Sequence, residues 1–222
     1  MVKKIKALKF FFFLLFIIIE VKSESVHKEF LSKLELLYPL EIYFEQVNKN
    51  EETIKGWMVI GGNGLARTEF ASPNNLIIIA DGNWIIFHDA LYDRTSYLPL
   101  NRGVINALIN PEKANKDYNL KVLKDSNKGK QAFRVSLNRA GSQDELIVFF
   151  DLKKNNLLGW EIFKNNIKEI KVVVTKSQKI NKDVFKKNNY FIFNEEMKKK
   201  QLIFKGPFKR KLKKIPGHGK PN

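Results

Sequence analysis

Leu76-Ile77-Ile78-Ile79-Ala80-Asp81-Gly82-Asn83-Trp84-Ile85-Ile86-Phe87-His88 is the stretch on which the fold turns. Asp81-Gly82-Asn83 separates two runs rich in β-branched and aromatic residues. Gly and Asn tolerate positive φ, so the stretch reads as a hairpin of strands Leu76–Ala80 and Trp84–His88. Leu76 to Ile79 is apolar at successive positions. A strand with one wet face alternates apolar and polar residues, so this one must be covered on both faces.

The same pattern extends in both directions. Upstream, Ser72-Pro73-Asn74-Asn75 makes a turn, Leu65 to Phe70 a strand, Gly61-Gly62-Asn63-Gly64 a turn and Gly56 to Ile60 a strand. Before them, Tyr43 and Phe44 favour a strand over Glu41 to Val47. Downstream, Arg94–Leu98, Leu120–Leu123, Gln131–Leu137, Glu145–Phe150, Leu157–Ile162 and Ile167–Thr175 read as strands between Asn/Asp/Lys/Gly turns. Gln131–Leu137 alternates, with Phe133, Val135 and Leu137 on one face, whereas Leu146–Phe150 is apolar on both faces. Two helices are expected. Phe30, Leu31, Leu34 and Leu37 share one face of a helix over His27–Tyr38, which Ser25 can cap and Pro39 stops. Val104, Ile105 and Leu108 have helical spacing within Leu100–Leu108. Many short strands predict a barrel or a sandwich rather than alternating α/β units. A lid over a cavity and the centre of a filled sandwich both explain the doubly apolar strands.

The chain has 222 residues, enough for one domain with a substantial core. Lys3, Lys4, Lys6 and Lys9 precede an apolar run from Phe10 to Ile19. Ten helical residues rise ~15 Å against ~30 Å of bilayer hydrocarbon, which is the size of a signal-peptide core rather than a span. Val21 and Ser23 suit a cleavage site, so residues 1–23 read as a signal peptide removed on export; an uncleaved anchor is the competing reading. No cysteine is present, so there is no thiolate nucleophile and no disulfide. The net charge of +17 sits mainly at the ends. Residues 1–23 hold five Lys and one Glu, and residues 197–222 hold ten Lys+Arg and no acid. The remaining body is close to balance, which argues against a nucleic-acid domain with a basic face. The tail over 198–222 fits loose contact with anionic head groups, or simple solvation.

Chemistry-bearing motifs are sparse. His27, His88 and His218 form no HxH or HxxxH pair, so a metal site has no framework. No GxSxG elbow occurs. Ile60-Gly61-Gly62-Asn63-Gly64 follows a strand but lacks the Lys and Ser/Thr of a phosphate loop. No catalytic residue, metal or cofactor is expected.

The order of the elements resembles that of the outer-membrane lipoprotein carrier proteins, the LolA family. The resemblance rests on Phe44-Glu45-Gln46 after the first helix, on Leu65 to Pro73 as a basic-aromatic strand ending in a proline turn, and on Ile78 to Trp84 with its Asp-Gly hairpin. Asp89, Leu91, Tyr97-Leu98-Pro99-Leu100, Leu146–Asp151 and Leu157-Leu158-Gly159-Trp160 follow in the family's order. The likeness covers residues 27–193. Two features depart from it. The family usually carries Arg-Pro where Gly62-Asn63 stand here, an arginine associated with holding the lid closed, and Thr-Pro where Gly103-Val104 stand.

The resemblance implies a mainly β, α+β fold: an incomplete antiparallel β-barrel over residues 24–197, with short helices covering the open side of an apolar cavity. It implies a periplasmic carrier, not an enzyme, that takes lipoprotein acyl chains from the inner to the outer membrane. An inner-membrane lipoprotein-releasing ABC transporter and an outer-membrane acceptor would be its partners, with no nucleic acid, and the protein a monomer. The expected cavity lining is Trp57, Val59, Leu65 and Phe70 with Ile78, Trp84, Ile86 and Leu108; the expected lid is Phe30, Leu34, Leu37, Val104 and Ile105. The alternative is a secreted β-sandwich that binds anionic membrane or a protein partner through its basic tail.

Overall fold

The computed structural model describes residues 25–90, 92–118, 120–139 and 142–181, together with 183, 185, 190, 191 and 207. Helix α1 occupies residues 25–37. Six strands follow: β1 (Leu40–Asn48), β2 (Thr53–Gly62), β3 (Leu65–Phe70), β4 (Leu76–Asp81), β5 (Trp84–Asp89) and β6 (Arg94–Pro99). A 3-10 turn at Leu100–Arg102 leads to α2 (Asn106–Ile109) and α3 (Pro111–Tyr118). Five strands complete the fold: β7 (Lys121–Asn127), β8 (Lys130–Arg139), β9 (Ser142–Asp151), β10 (Leu157–Lys164) and β11 (Ile167–Lys179). The expected eleven strands all form. The second expected helix does not start at Leu100; it is a 3-10 turn followed by the four-residue α2, and α3 was not anticipated. The residues read as a signal peptide and, apart from Pro207, those of the basic tail lie outside the described residues.

All eleven strands belong to one antiparallel sheet, in the order β6-β5-β4-β3-β2-β1-β11-β10-β9-β8-β7. Two meanders, β1–β6 and β7–β11, are therefore joined where β1 pairs with β11. Twist curls such a wide sheet on itself. The end strands β6 and β7 do not pair, so the barrel stays open, and there is no second sheet among the described residues to make a sandwich. The turns are built from residues that accept the left-handed region. Asn165 and Asn166 have φ of 49° and 64°, and Lys128 and Gly129 have 47° and 78°. Two successive positive φ values give the two-residue turn whose twist matches the flanking strands.

The inner face of the sheet holds the main core. Phe30 and Leu34 of α1 are fully buried in it beside Phe133, Val148 and Phe150. The Phe30 and Phe133 rings lie 5.4 Å apart. At its polar edge α1 is fixed to the β7–β8 wing, where the Glu29 carboxylate accepts from Lys124 at 2.8 Å and from Gln131 at 2.9 Å. Lys33 donates to Asn155 in the β9–β10 turn.

The outer face of β1–β5 is covered as well. Trp57, Val59 and Tyr190 form one buried group with Ile180, Phe185 and Phe191 packed on it, and Ile77, Ile79 and Ile86 form another under Phe191. Ile180, Phe185, Tyr190 and Phe191 thus cover part of this face, which is why β2, β4 and β5 are apolar on both sides. Within this layer Arg67 and Glu69 are almost completely buried. Arg67 reaches Glu69 at 2.7 Å and donates to the Tyr190 carbonyl at 3.2 Å.

Candidate functional site

The site is the space between the inner face and the short helices. Alternation along β1 sends Leu40, Ile42, Phe44 and Gln46 inward and Glu41, Tyr43 and Glu45 outward. Pairing carries that parity across the sheet. Ile42 faces Met58, Met58 faces Thr68, Thr68 faces Ile78, and Ile78 faces Phe87. From Met58 to Phe87 this row is one wall of a cavity of about 200 Å³. Phe44, Phe70 and Trp160 make its floor, with Ile162 and Ile170 opposite, and Ile105 and Ile109 close it from the lid side. Phe44 lies directly over Gly56, where a β-carbon would fall 2.2 Å from its ring, so a side chain at residue 56 would displace the floor. Among the described residues, Gln46 and Thr68 are the polar side chains of the lining apart from the Trp160 indole, and none of them is charged. Gln46, Thr68, Ile78, Phe87, Ile162 and Ile170 are half-buried, marking where the cavity reaches solvent.

Main-chain contacts hold the lid. The Gly64 N–H donates to the Ile109 carbonyl at 2.9 Å, and the Tyr38 hydroxyl donates to the Leu108 carbonyl at 2.5 Å. Gly64 has φ +82°, and a β-carbon there would meet Leu100 at 2.8 Å, so the approach of turn to lid requires glycine. Burial pushes the Tyr38 phenol far above its ordinary value, so it stays a donor. These contacts stand close to Gly62-Asn63, where the resemblance left a lid-holding arginine missing. Arg67, the nearest basic residue in sequence, is paired on the other face of the sheet. Asn106, at the start of α2, is 1% exposed, and neither polar atom of its side chain has a hydrogen bond.

Of the residues expected to line the cavity, Phe70 and Ile78 do so, and Ile105, expected in the lid, joins them. Val104 and Leu108 are buried in the main core beneath the lid, as are Phe30 and Leu34, with Leu37 at its edge. Register corrects the other expectations. Trp57, Val59 and Ile86 point to the outer face, under Phe185, Tyr190 and Phe191. Leu65 shares the parity of Arg67 and Glu69, which is also outward. Trp84 is 45% exposed on the outer side of β5. Missed were the other lining residues, Phe44, Met58, Phe87, Ile109 and Trp160 among them. The signal for them was present in β1: carrying its clean alternation through an antiparallel register puts Met58 inward and Trp57 outward.

Among the described residues no three His, Cys, Asp or Glu side chains gather as metal ligands would, and no helix is long and apolar enough to cross a membrane.

Comparison with known proteins gives three similar solved structures and one matching family model. None of the curated proteins matches the sequence. Among solved structures, an uncharacterized conserved protein from Thermus thermophilus is similar at 11% identity, with a TM-score of 0.45, over 69% of this chain and 87% of that one. A LolA superfamily protein from Nitrosomonas europaea is similar at 10% identity, TM-score 0.39, over 72% and 94%. MucB, solved in complex with MucA(peri), is similar at 12% identity, TM-score 0.37, over 71% and 58%. The family model described as "Outer membrane lipoprotein carrier protein LolA" matches residues 38–188. That match runs from the Tyr38 lid contact through all eleven strands and covers well over half of the sequence, so the chain belongs to the LolA family.

Proposed function

We propose that this protein is a periplasmic carrier that shields the acyl chains of lipoproteins and moves them from the inner to the outer membrane. It acts by binding, without a chemical step, as a monomer. One observation carries the reading: a cavity lined almost wholly by apolar side chains sits beneath a lid whose Leu108 and Ile109 carbonyls are held by hydrogen bonds from Tyr38 and Gly64. Each methylene moved out of water is worth about 0.8 kcal/mol. A space of about 200 Å³ is small beside a whole long acyl chain. A whole acyl chain therefore displaces the lid, and the packing lost by Ile105 and Ile109 offsets part of the burial gained. That competition keeps affinity moderate, which a carrier needs in order to release its load. An ABC transporter would supply the energy for loading at the inner membrane, and an acceptor would take the cargo at the outer membrane.

The test is release. Purified protein is incubated with spheroplasts, and the supernatant is assayed for lipoproteins in soluble complex with it. Release that depends on the protein supports the carrier reading. Absence of release, with folded protein and an active transporter, would contradict it.

A further inference from the structure

The charge of the folded body is divided unevenly. Residues 25–120 carry nine Lys/Arg against twelve Asp/Glu, whereas residues 121–181 carry thirteen against six. The excess is most concentrated where two turns meet. The β7–β8 turn presents Lys128 and Lys130, and the β9–β10 turn presents Lys153 and Lys154; all four are exposed. The Leu152 N–H donates to the Gly129 carbonyl at 3.1 Å, which ties the turns together. Asp151 is the one acid in the group, and its carboxylate accepts the backbone N–H groups of Lys153 at 2.8 Å and Lys154 at 2.6 Å. It shapes the turn and leaves the four ammonium groups without an ion-pair partner among the described residues. Beside Lys153 and bonded through its backbone to the β7–β8 turn stands Leu152, an aliphatic side chain 47% exposed.

We propose that this basic tip docks on an anionic lipid surface, with Leu152 entering the head-group layer between Lys128, Lys130, Lys153 and Lys154. Lysines near such a surface each contribute appreciably, and an exposed aliphatic group adds burial that a purely electrostatic contact lacks. The position of the tip gives the contact a use. By the pairing of β10 with β11 and of β11 with β1, the β9–β10 turn lies at the Leu40 end of β1. The β2–β3 turn that holds the lid lies at that same end. Docking through the tip therefore turns the lid end of the barrel toward the membrane.

The chain contains no cysteine, so a single Leu152→Cys substitution takes one environment-sensitive label. A label at Thr53→Cys, at the opposite end of the barrel, is the control. Both are mixed with phosphatidylcholine vesicles with and without about 30% phosphatidylglycerol, which supplies the negative surface potential. The proposal predicts a blue shift at position 152 with the anionic vesicles only, and none at 53. Replacing the four lysines by Gln should weaken vesicle binding by at least about tenfold while circular dichroism stays unchanged. Binding with no change at the 152 label, as the tail would give, overturns the proposal. So do equal binding to neutral vesicles, full binding by the four-lysine variant, and absence of vesicle binding.

Discussion

At the scale of the residue, inside and outside of the sheet are set by single positions of register. Ile78 faces the cavity, and its neighbours Ile77 and Ile79 face the outer layer. Ile78→Asp places a carboxylate against Thr68, Phe87 and the lid with no cation among the described lining residues. Burying an unpaired charge is costly enough that displacement titration of a fluorescent acyl probe should show an affinity loss of about 100-fold or more in a folded variant. Trp57→Ala gives the contrary outcome. It empties a site under Tyr190, costing about 3–5 kcal/mol of stability by denaturant titration, and should leave probe affinity in the remaining folded protein unchanged. Tyr38→Phe removes the hydroxyl that Leu108 accepts and leaves that carbonyl unpaired. Hydrogen exchange over Ala107–Ile109 should accelerate, and the acyl probe should enter several-fold faster, as loss of about 1 kcal/mol implies. Unchanged exchange would show that Gly64 alone holds the lid. These faces were legible in β1, where Leu40, Ile42 and Phe44 alternate with Glu41, Tyr43 and Glu45. They were not legible in β2 and β4 taken singly, because both faces of those strands are covered and alternation disappears.

At the scale of the element, two covers lie on opposite sides of one sheet. On the outer side, Arg67 joins Glu69 to the Tyr190 carbonyl in an apolar layer. Arg67→Ala removes the guanidinium that pairs with the Glu69 carboxylate in that layer and should cost about 3–5 kcal/mol by denaturant midpoint. Combining Arg67→Met with Glu69→Leu should recover most of that loss, because two apolar side chains suit the apolar layer around them. On the inner side, α1 carries His27, whose Nε2 is buried without a hydrogen bond. Desolvation holds its pKa below the ordinary histidine value near 6.5. The unfolded chain then binds the proton more readily than the folded one, so stability falls as pH drops through about 6.5. Melting curves between about pH 7.5 and 5.5 should show this loss, and His27→Gln should flatten it; equal slopes for the two proteins would remove His27 from the account. The strands were readable because their turns use Asn, Asp and Gly, residues with a local reason to be there. The cover formed by Ile180, Phe185, Tyr190 and Phe191 was not, since isolated aromatics among lysines and asparagines carry no periodicity. The second helix was misplaced at its start because Leu100 and Val104 pack inward from a 3-10 turn and a bend as well as they would from a helix.

At the scale of the whole molecule, a single sheet of eleven strands does the work of two layers by curling. Its inner face is only partly filled, the outer face of β2, β4 and β5 is covered by Ile180, Phe185, Tyr190 and Phe191, and the gap between β6 and β7 is left to short helices. That arrangement explains why an ordinary apolar content gives a cavity in place of a packed sandwich: the apolar surplus of β2, β4 and β5 is divided between two separate faces. The family and the barrel were both legible in the order of turns and strands, while the cavity wall emerged only from pairing. The central claim is that cargo acyl chains occupy this wall. It is tested most directly by placing a photoreactive amino acid at Ile78 and, separately, at Ile77, and irradiating each protein during lipoprotein release from spheroplasts. The account predicts crosslinks to the lipid-modified part of the lipoprotein from position 78 and none from position 77. Equal crosslinking from both, or crosslinking from position 77 alone, would contradict it.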